Sequence, residues 1–143
     1  MAQLIKNDLE SATDKTPKFT MNGKVVDAKI VSVHDGDSLH AVFELFGNNY
    51  NWVCRIAHVD TPEVTTKNLK EKEYGLFVRD KLREVLLNKM VKLSCMEFDK
   101  YGRLLVEISV PDMKLKIHEW LIENKYAYLY EGKTKKKWFE EVV

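Results

Sequence analysis

The 143 residues carry 23 Lys and Arg against 22 Asp and Glu, a formal net charge of +1, and 45% are hydrophobic. That is the length and balance of one globular domain, and near-neutrality excludes a protein that coats nucleic acid by bulk positive charge. Two cysteines, Cys54 and Cys95, lack CxxC spacing and exclude a disulfide scaffold; both are expected as buried free thiols. No apolar run is long enough to cross a bilayer, and residues 1–20 lack the apolar core of a signal peptide. An intracellular protein without membrane association is expected.

Residues 1–22 are polar and are expected as a flexible N-terminal tail, with the domain spanning 23–143. A β-branched stretch predicts a strand over 25–33, closed by the turn signal His34-Asp35-Gly36-Asp37. Leu39, Ala41, Phe43 and Leu45 then alternate with polar neighbours, a half-buried strand, and Gly47-Asn48-Asn49 suits a hairpin turn. The next strand, 50–59, must stop before Pro62, which cannot donate to a ladder. Residues 65–72 are polar and lysine-rich, a surface loop in which Lys67, Lys70 and Lys72 could meet a passing strand. Val78, Leu82, Val85 and Leu86 predict a helix over 73–88. Strands over 91–98 and 103–110 flank the tight turn Asp99-Lys100-Tyr101-Gly102, and Leu104, Val106, Ile108 and Val110 share one face. A second helix, 115–124, buries Ile117, Trp120 and Leu121; Tyr126, Tyr128 and Tyr130 alternate after it. A lysine run at 133–137 reads as a solvated face, and 138–141 as a short docked helix. Five short strands with about three helices make an α+β chain whose sheet closes, or nearly closes, into a barrel.

Carboxylates gather at strand ends. Asp35 and Asp37 flank Gly36; Asp60 and Glu63 flank Thr61-Pro62. Hard cations take oxygen ligands, although Asp and Gly also suit such turns for backbone reasons alone. Arg55 lies within an apolar strand and Arg103 directly follows the Tyr101-Gly102 turn. Each alone reads as half of an ion pair, with Glu44 or Glu107 as partner. Converging on a carboxylate-bound cation, the two guanidiniums would make a phosphodiester-hydrolysis site, because their forks match phosphoryl oxygens. An ideal strand would put Arg55 and Asp60 on opposite faces, so the chain must bend near His58 or Val59. His34, His40, His58 and His118 form no HxxxH spacing and read as non-catalytic; Trp52, Trp120 and Trp138 read as packing residues.

Four segments together resemble one family. Val33-His34-Asp35-Gly36-Asp37-Ser38, Arg55 through Glu63, Glu73-Tyr74-Gly75 and Asp99-Lys100-Tyr101-Gly102-Arg103 follow, in order, the patterns of the staphylococcal nuclease (thermonuclease) family: DGDT, R-x4-DTPE, a YG in the first helix, and DKYGR. The resemblance covers residues 25–130 and implies a five-stranded oligonucleotide-binding (OB-fold) barrel with three helices. It implies Ca²⁺-dependent endonucleolytic cleavage of DNA and RNA with low sequence specificity, leaving 3′-phosphate ends. Asp37 and Asp60 would give Ca²⁺ their carboxylates and Thr61 its backbone carbonyl. Glu63 would act on the attacking water, as general base or as its orienting acceptor. Arg55 and Arg103 would bind the scissile phosphate; Lys100 and Tyr101 would sit by the nucleotide and its terminal phosphate. Tyr128 and Tyr130 would lie against bases. Ser38 replaces the pattern's Thr, the loop before Asp99 is shorter, and the C-terminal helix is cut short; none of these removes a catalytic group. The expected partners are DNA and RNA, single-stranded or locally melted, acted on by a monomer. The alternative is a non-catalytic OB-fold module that binds single-stranded nucleic acid or a protein partner and keeps its turns for structural reasons.

Overall fold

Alternation of apolar and polar residues along five strands closes a sheet on itself. In the computed structural model, which describes residues 8–132, 135, 136, 138 and 139, β1 (Val25–Val33), β2 (Ser38–Leu45), β3 (Asn48–Ile56), β5 (Met90–Phe98) and β6 (Leu104–Ser109) form a closed barrel in the order β1-β2-β3-β6-β5. All pairings are antiparallel except β3 with β6, where Cys54, Arg55 and Ile56 run parallel to Leu104, Leu105 and Val106. That parallel seam joins the two antiparallel meanders and closes the barrel. Closure also requires β1 to serve two partners: its first half pairs with β5 and its second with β2, with a bulge between Ile30 and Ser32. The buried residues of β1 accordingly fall at Ala28, Ile30 and Val33, a change of parity across the bulge.

Leu39, Ala41 and Phe43 of β2 and Leu104, Val106 and Ile108 of β6 point into the core, as their alternation requires. Met21, ahead of β1, is also fully buried there. Cys54 and Cys95 are buried free thiols. The hairpin turn sits at Phe46-Gly47 rather than at 47–49: Leu45 faces Asn48, and both turn residues take positive φ (53° and 88°), as a two-residue primed turn demands. Asn48 and Asn49 are the first residues of β3.

Helix α1 (Leu69–Leu86) starts four residues before the expected position. Asn68 caps it, its side chain accepting the Glu71 backbone N–H at 3.1 Å. Leu69 is 72% exposed, so no apolar period marks this first turn. Gly75, Val78, Leu82 and Leu86 form the buried stripe. Helix α2 (Ile117–Glu123) packs Ile117 and Leu121 onto the barrel end near β6. Two short strands, β4 (Val59–Asp60) and β7 (Tyr128–Leu129), pair antiparallel beside the barrel. The described residues thus hold two α-helices rather than about three, with one further 3₁₀ turn at Leu9–Ser11. Of the docked helix expected over 138–141, only 138 and 139 are described and neither is helical; the remainder lies outside the described residues. No helix among them is long and apolar enough to cross a membrane.

Candidate active site

Three turns meet at one end of the barrel. The β1–β2 turn is shaped by Asp35, whose Oδ1 accepts the backbone N–H groups of Asp37 at 3.1 Å and Ser38 at 2.9 Å. The Asp37 carbonyl in turn accepts the Ile56 N–H at 2.8 Å, which clamps this turn to the end of β3. Gly36 is needed because any Cβ there would stand 2.8 Å from both Thr61 Cβ and Val78 Cγ1.

Beyond β3 the chain bends at His58, whose φ is +73°. This left-handed residue resolves the parity conflict: it turns Asp60 back to the side that Arg55 occupies. Arg55 is 8% exposed, and its guanidinium donates to the Ile56 carbonyl (3.2 Å), the Val59 carbonyl (3.0 Å) and Asp37 Oδ2 (3.1 Å). Asp60 Oδ1 lies 3.6 Å from the same Nη2. Arg55 therefore pairs with the two aspartates, not with Glu44 or Glu107.

Asp60 is 4% exposed and surrounded. The β4–β7 register sets Tyr128 opposite it, with the hydroxyl 2.9 Å from Asp60 Oδ2 and 2.7 Å from the Lys136 carbonyl oxygen. One phenolic proton serves both acceptors; burial and the Asp60 charge hold the Tyr128 pKa above its ordinary value. Trp138 Nε1 lies 3.4 Å from the same oxygen. Lys135 reaches Asp60 Oδ1 at 3.1 Å and Glu63 Oε1 at 3.9 Å. Burial opposes its charge, but the bond to Asp60 outweighs this and raises its pKa.

Glu63 follows Pro62 into solvent. Its backbone N–H donates to Glu71 Oε2 at 2.9 Å, tying it to the first turn of α1. A Cβ on Gly75 would stand 2.7 Å from the Glu63 carbonyl oxygen and 2.8 Å from that of Pro62. The Tyr-Gly pair in the helix is thus a packing requirement: only glycine lets α1 approach this loop.

The second arginine belongs to another group. Asp99 Oδ1 accepts the backbone N–H groups of Tyr101 and Arg103, and its Oδ2 accepts Arg103 Nε at 2.7 Å. Lys100 and Arg103 both lie against the Tyr101 ring, at 5.3 and 5.4 Å from its centroid, and Tyr101 is 72% exposed. Arg103 is therefore not in contact with the Asp37–Arg55–Asp60 cluster. Lys100 and Tyr101 nonetheless line the same cleft as Arg55 and Tyr130, a space of about 410 Å³. Tyr130 stands beneath the Arg55 and Lys135 cations at 5.7 and 5.6 Å. A second cleft of about 470 Å³, lined by Asp60, Glu63, Asn68 and Trp138, lies on the other side of Lys135. Tyr126 takes no part; it packs edge-on against Trp120 and Phe77.

The donor set suits a hard divalent cation: two buried carboxylates beside the Thr61 backbone, with oxygen donors only. Two further observations agree. Burial, then the neighbouring Asp35 charge, push Asp37 up to about 8 against the opposing pull of Arg55, so Arg55 alone does not offset the burial of this one carboxylate. The Lys135 ammonium, moreover, stands between Asp60 and Glu63, which shows that the gap between these two carboxylates draws positive charge, although a divalent ion there would have to displace it. Lys135, Trp138 and Glu71 escape sequence reasoning. Lys135 sits in a run that resembles any solvated tail, and Trp138 reaches Asp60 across 78 positions. Glu71 carried a usable signal, the Asn68-x-x-Glu71 spacing of a helix start.

A family model described as "Staphylococcal nuclease homologue" matches residues 53–142. Two relatives, from Escherichia coli O157:H7 and Escherichia coli and both named "Uncharacterized endonuclease", are each 24% identical over 106 residues. The alignment covers 74% of this chain and 62% of theirs, so the chain spans less than two thirds of the length of these relatives.

Proposed function

The chain belongs to the staphylococcal nuclease homologue family, and we propose that it is a Ca²⁺-dependent endonuclease. It hydrolyses phosphodiester bonds of DNA and RNA with low sequence specificity, prefers single-stranded or locally melted substrate, and leaves 3′-phosphate ends. The catalytic unit is a monomeric domain over residues 23–143, with the buried Met21 side chain seated in its barrel. One observation carries the reading: Asp37, Arg55 and Asp60 converge in a buried cluster, with Glu63 on its solvent side.

Asp37, Asp60 and the Thr61 carbonyl would hold the cation, which when bound draws charge from a phosphoryl oxygen as a Lewis acid. Arg55 is fixed in advance by the Ile56 and Val59 carbonyls, so little reorganisation is needed to meet negative charge as it develops. Glu63 accepts the proton of the attacking water or orients it. The water oxygen bonds to phosphorus as the bond to the 5′ oxygen breaks, and the departing oxygen takes a proton from solvent to leave as the 5′-hydroxyl. Arg103 joins by exchanging Asp99 for the phosphate, a short swing within one turn. Tyr101 and Lys100 bind the nucleotide and its terminal phosphate. Tyr130 and, once released from Asp60, Tyr128 stack on bases; a stacked base contributes about 1–3 kcal/mol without regard to sequence.

The test is cleavage of single-stranded DNA, duplex DNA and RNA side by side, with Ca²⁺ and with chelator. Cleavage is expected with Ca²⁺ and its loss in chelator; equal cleavage in chelator would overturn the metal assignment. The occupation of Asp60 by Tyr128, Trp138 and Lys135 favours a second reading, a non-cleaving module. Binding without cleavage of any of the three substrates would select it.

A further inference from the structure

Beside the carboxylate cluster, where His58 lines the same cleft as Arg55 and Tyr130, three residues from three elements meet. His58 comes from the corner after β3, Glu107 from the outward row of β6, and His118 from α2. One donor atom of each lies within 4.8 Å of the other two. His58 Nε2 and Glu107 Oε2 are 2.7 Å apart, and the two imidazole rings stand 5.0 Å apart between centroids. Each of the first two is also held from behind. His58 Nδ1 lies 3.0 Å from Glu131 Oε1, and Lys116 Nζ donates to Glu107 Oε1 at 2.6 Å. An imidazole whose far nitrogen is engaged by a carboxylate, and a carboxylate whose far oxygen is engaged by a lysine, are oriented as metal ligands are by their outer partners.

An ion-pair chain from Glu131 through His58 and Glu107 to Lys116 explains those four side chains but not His118. Its Nδ1 is buried with no hydrogen-bond partner among the described residues, a costly arrangement unless something is meant to meet the ring. Two imidazoles and one carboxylate, with a fourth position left to water, form a donor set for a borderline divalent ion rather than for Ca²⁺.

We propose that His58, Glu107 and His118 form a second metal site, which binds one Zn²⁺-class ion and fastens α2 and β6 to the corner that leads into Asp60. Bonds of about 2.0–2.1 Å place tetrahedral donor atoms about 3.4 Å apart. Loading the site therefore widens the His58–Glu107 contact and draws His118 inward, by side-chain movement alone. Sequence spacing misses the site because no two ligands share an element, and HxxxH patterns report only ligands that do.

Co²⁺ is the probe, titrated into the metal-stripped full chain with millimolar Ca²⁺ present to saturate the carboxylate cluster. One equivalent should develop the intense visible bands of a four-coordinate nitrogen and oxygen site and should be displaced by one equivalent of Zn²⁺. His118→Gln and Glu107→Gln should each weaken Co²⁺ binding at least tenfold. Glu131→Gln, a surface change that leaves the barrel intact if the others do not fold, should weaken it about 10- to 100-fold. Asp37→Asn should leave the titration unchanged. No stoichiometric binding, or wild-type affinity in the Glu131 and His118 variants, would reduce the cluster to an ion-pair network. Loss of the bands in Asp37→Asn would put the ion at the carboxylates instead, and would equally overturn the proposal. No arm depends on nuclease activity.

Discussion

Arg55 sits where a barrel strand ends, buried, with two aspartates beside it and two backbone carbonyls taking up its donors. A charge in that position is costly unless its geometry is fully used, and only a planar fork reaches both carbonyls and Asp37 at once. Arg55→Lys keeps the charge and loses the fork. Turnover should fall about 10²- to 10³-fold, the usual cost of one preorganised donor, with the far-ultraviolet circular dichroism unchanged. Turnover near wild type would place the phosphate contact elsewhere. Asp99 offers a contrasting residue, 16% exposed at its side chain and free of any proposed metal. Burial works against its charge, but the Arg103 and Tyr101 backbone N–H groups and the Arg103 guanidinium outweigh that and lower its pKa. A depressed carboxylate stabilises the fold above its unfolded pKa and stops doing so as pH falls through the folded one. Asp99→Asn should therefore be less stable than wild type in urea at pH 7 and closer to it at a pH well below the ordinary carboxylate range. A gap of the same size at both pH values would mean that the charge of Asp99 plays no part in its turn.

At the scale of elements, helix α1 positions the loop that carries Glu63, and it does so through a missing side chain. Propensity alone predicts that Gly75→Ala, within a helix of 18 residues, gains roughly 1 kcal/mol. The contact predicts the opposite, because the new Cβ would stand 2.7 Å from the Glu63 carbonyl oxygen, an atom of the backbone. Thermal unfolding should show a lower midpoint, and cleavage a reduced kcat with KM little changed, since Glu63 moves while Arg55 and Arg103, the arginines proposed to bind phosphate, do not. A raised midpoint with full activity would show that the loop yields freely. The barrel was readable from sequence because alternation in β2 and β6 maps directly onto burial, Leu39, Ala41 and Phe43 inward and their neighbours outward. The bend near His58 was also readable, since Arg55 and Asp60 could meet in no other way. The start of α1 was not, because Leu69 is exposed and three lysines near it look like a loop. Nor was the cover over Asp60: Tyr128 and Trp138 arrive from 68 and 78 positions away, and no local pattern encodes contacts at that range. The pairing of Arg103 with Asp99, four residues apart inside one turn, was within reach of local reasoning.

For the molecule as a whole, a net charge of +1 separates two kinds of nucleic-acid protein. One neutralises many phosphates with a basic surface and releases many counterions; the other grips a few phosphates at one point. Here the acidic side chains are spent partly on pairing the basic ones, as in Lys92 with Asp27, Arg83 with Asp80 and Lys116 with Glu107. The cations assigned to substrate are Arg55, Arg103 and Lys100, and the first two must also leave or share aspartates to act. Three phosphate contacts on a single strand correspond to a slope of about −2 in log K against log salt, at about −0.7 for each phosphate. Measuring 1/KM on a single-stranded oligonucleotide in monovalent salt at fixed saturating Ca²⁺ should return a slope near that value when its logarithm is plotted against log salt. A slope steeper than about −5 would require a basic tract outside these three residues, and the lysine run at the C-terminus would then be where to look for it.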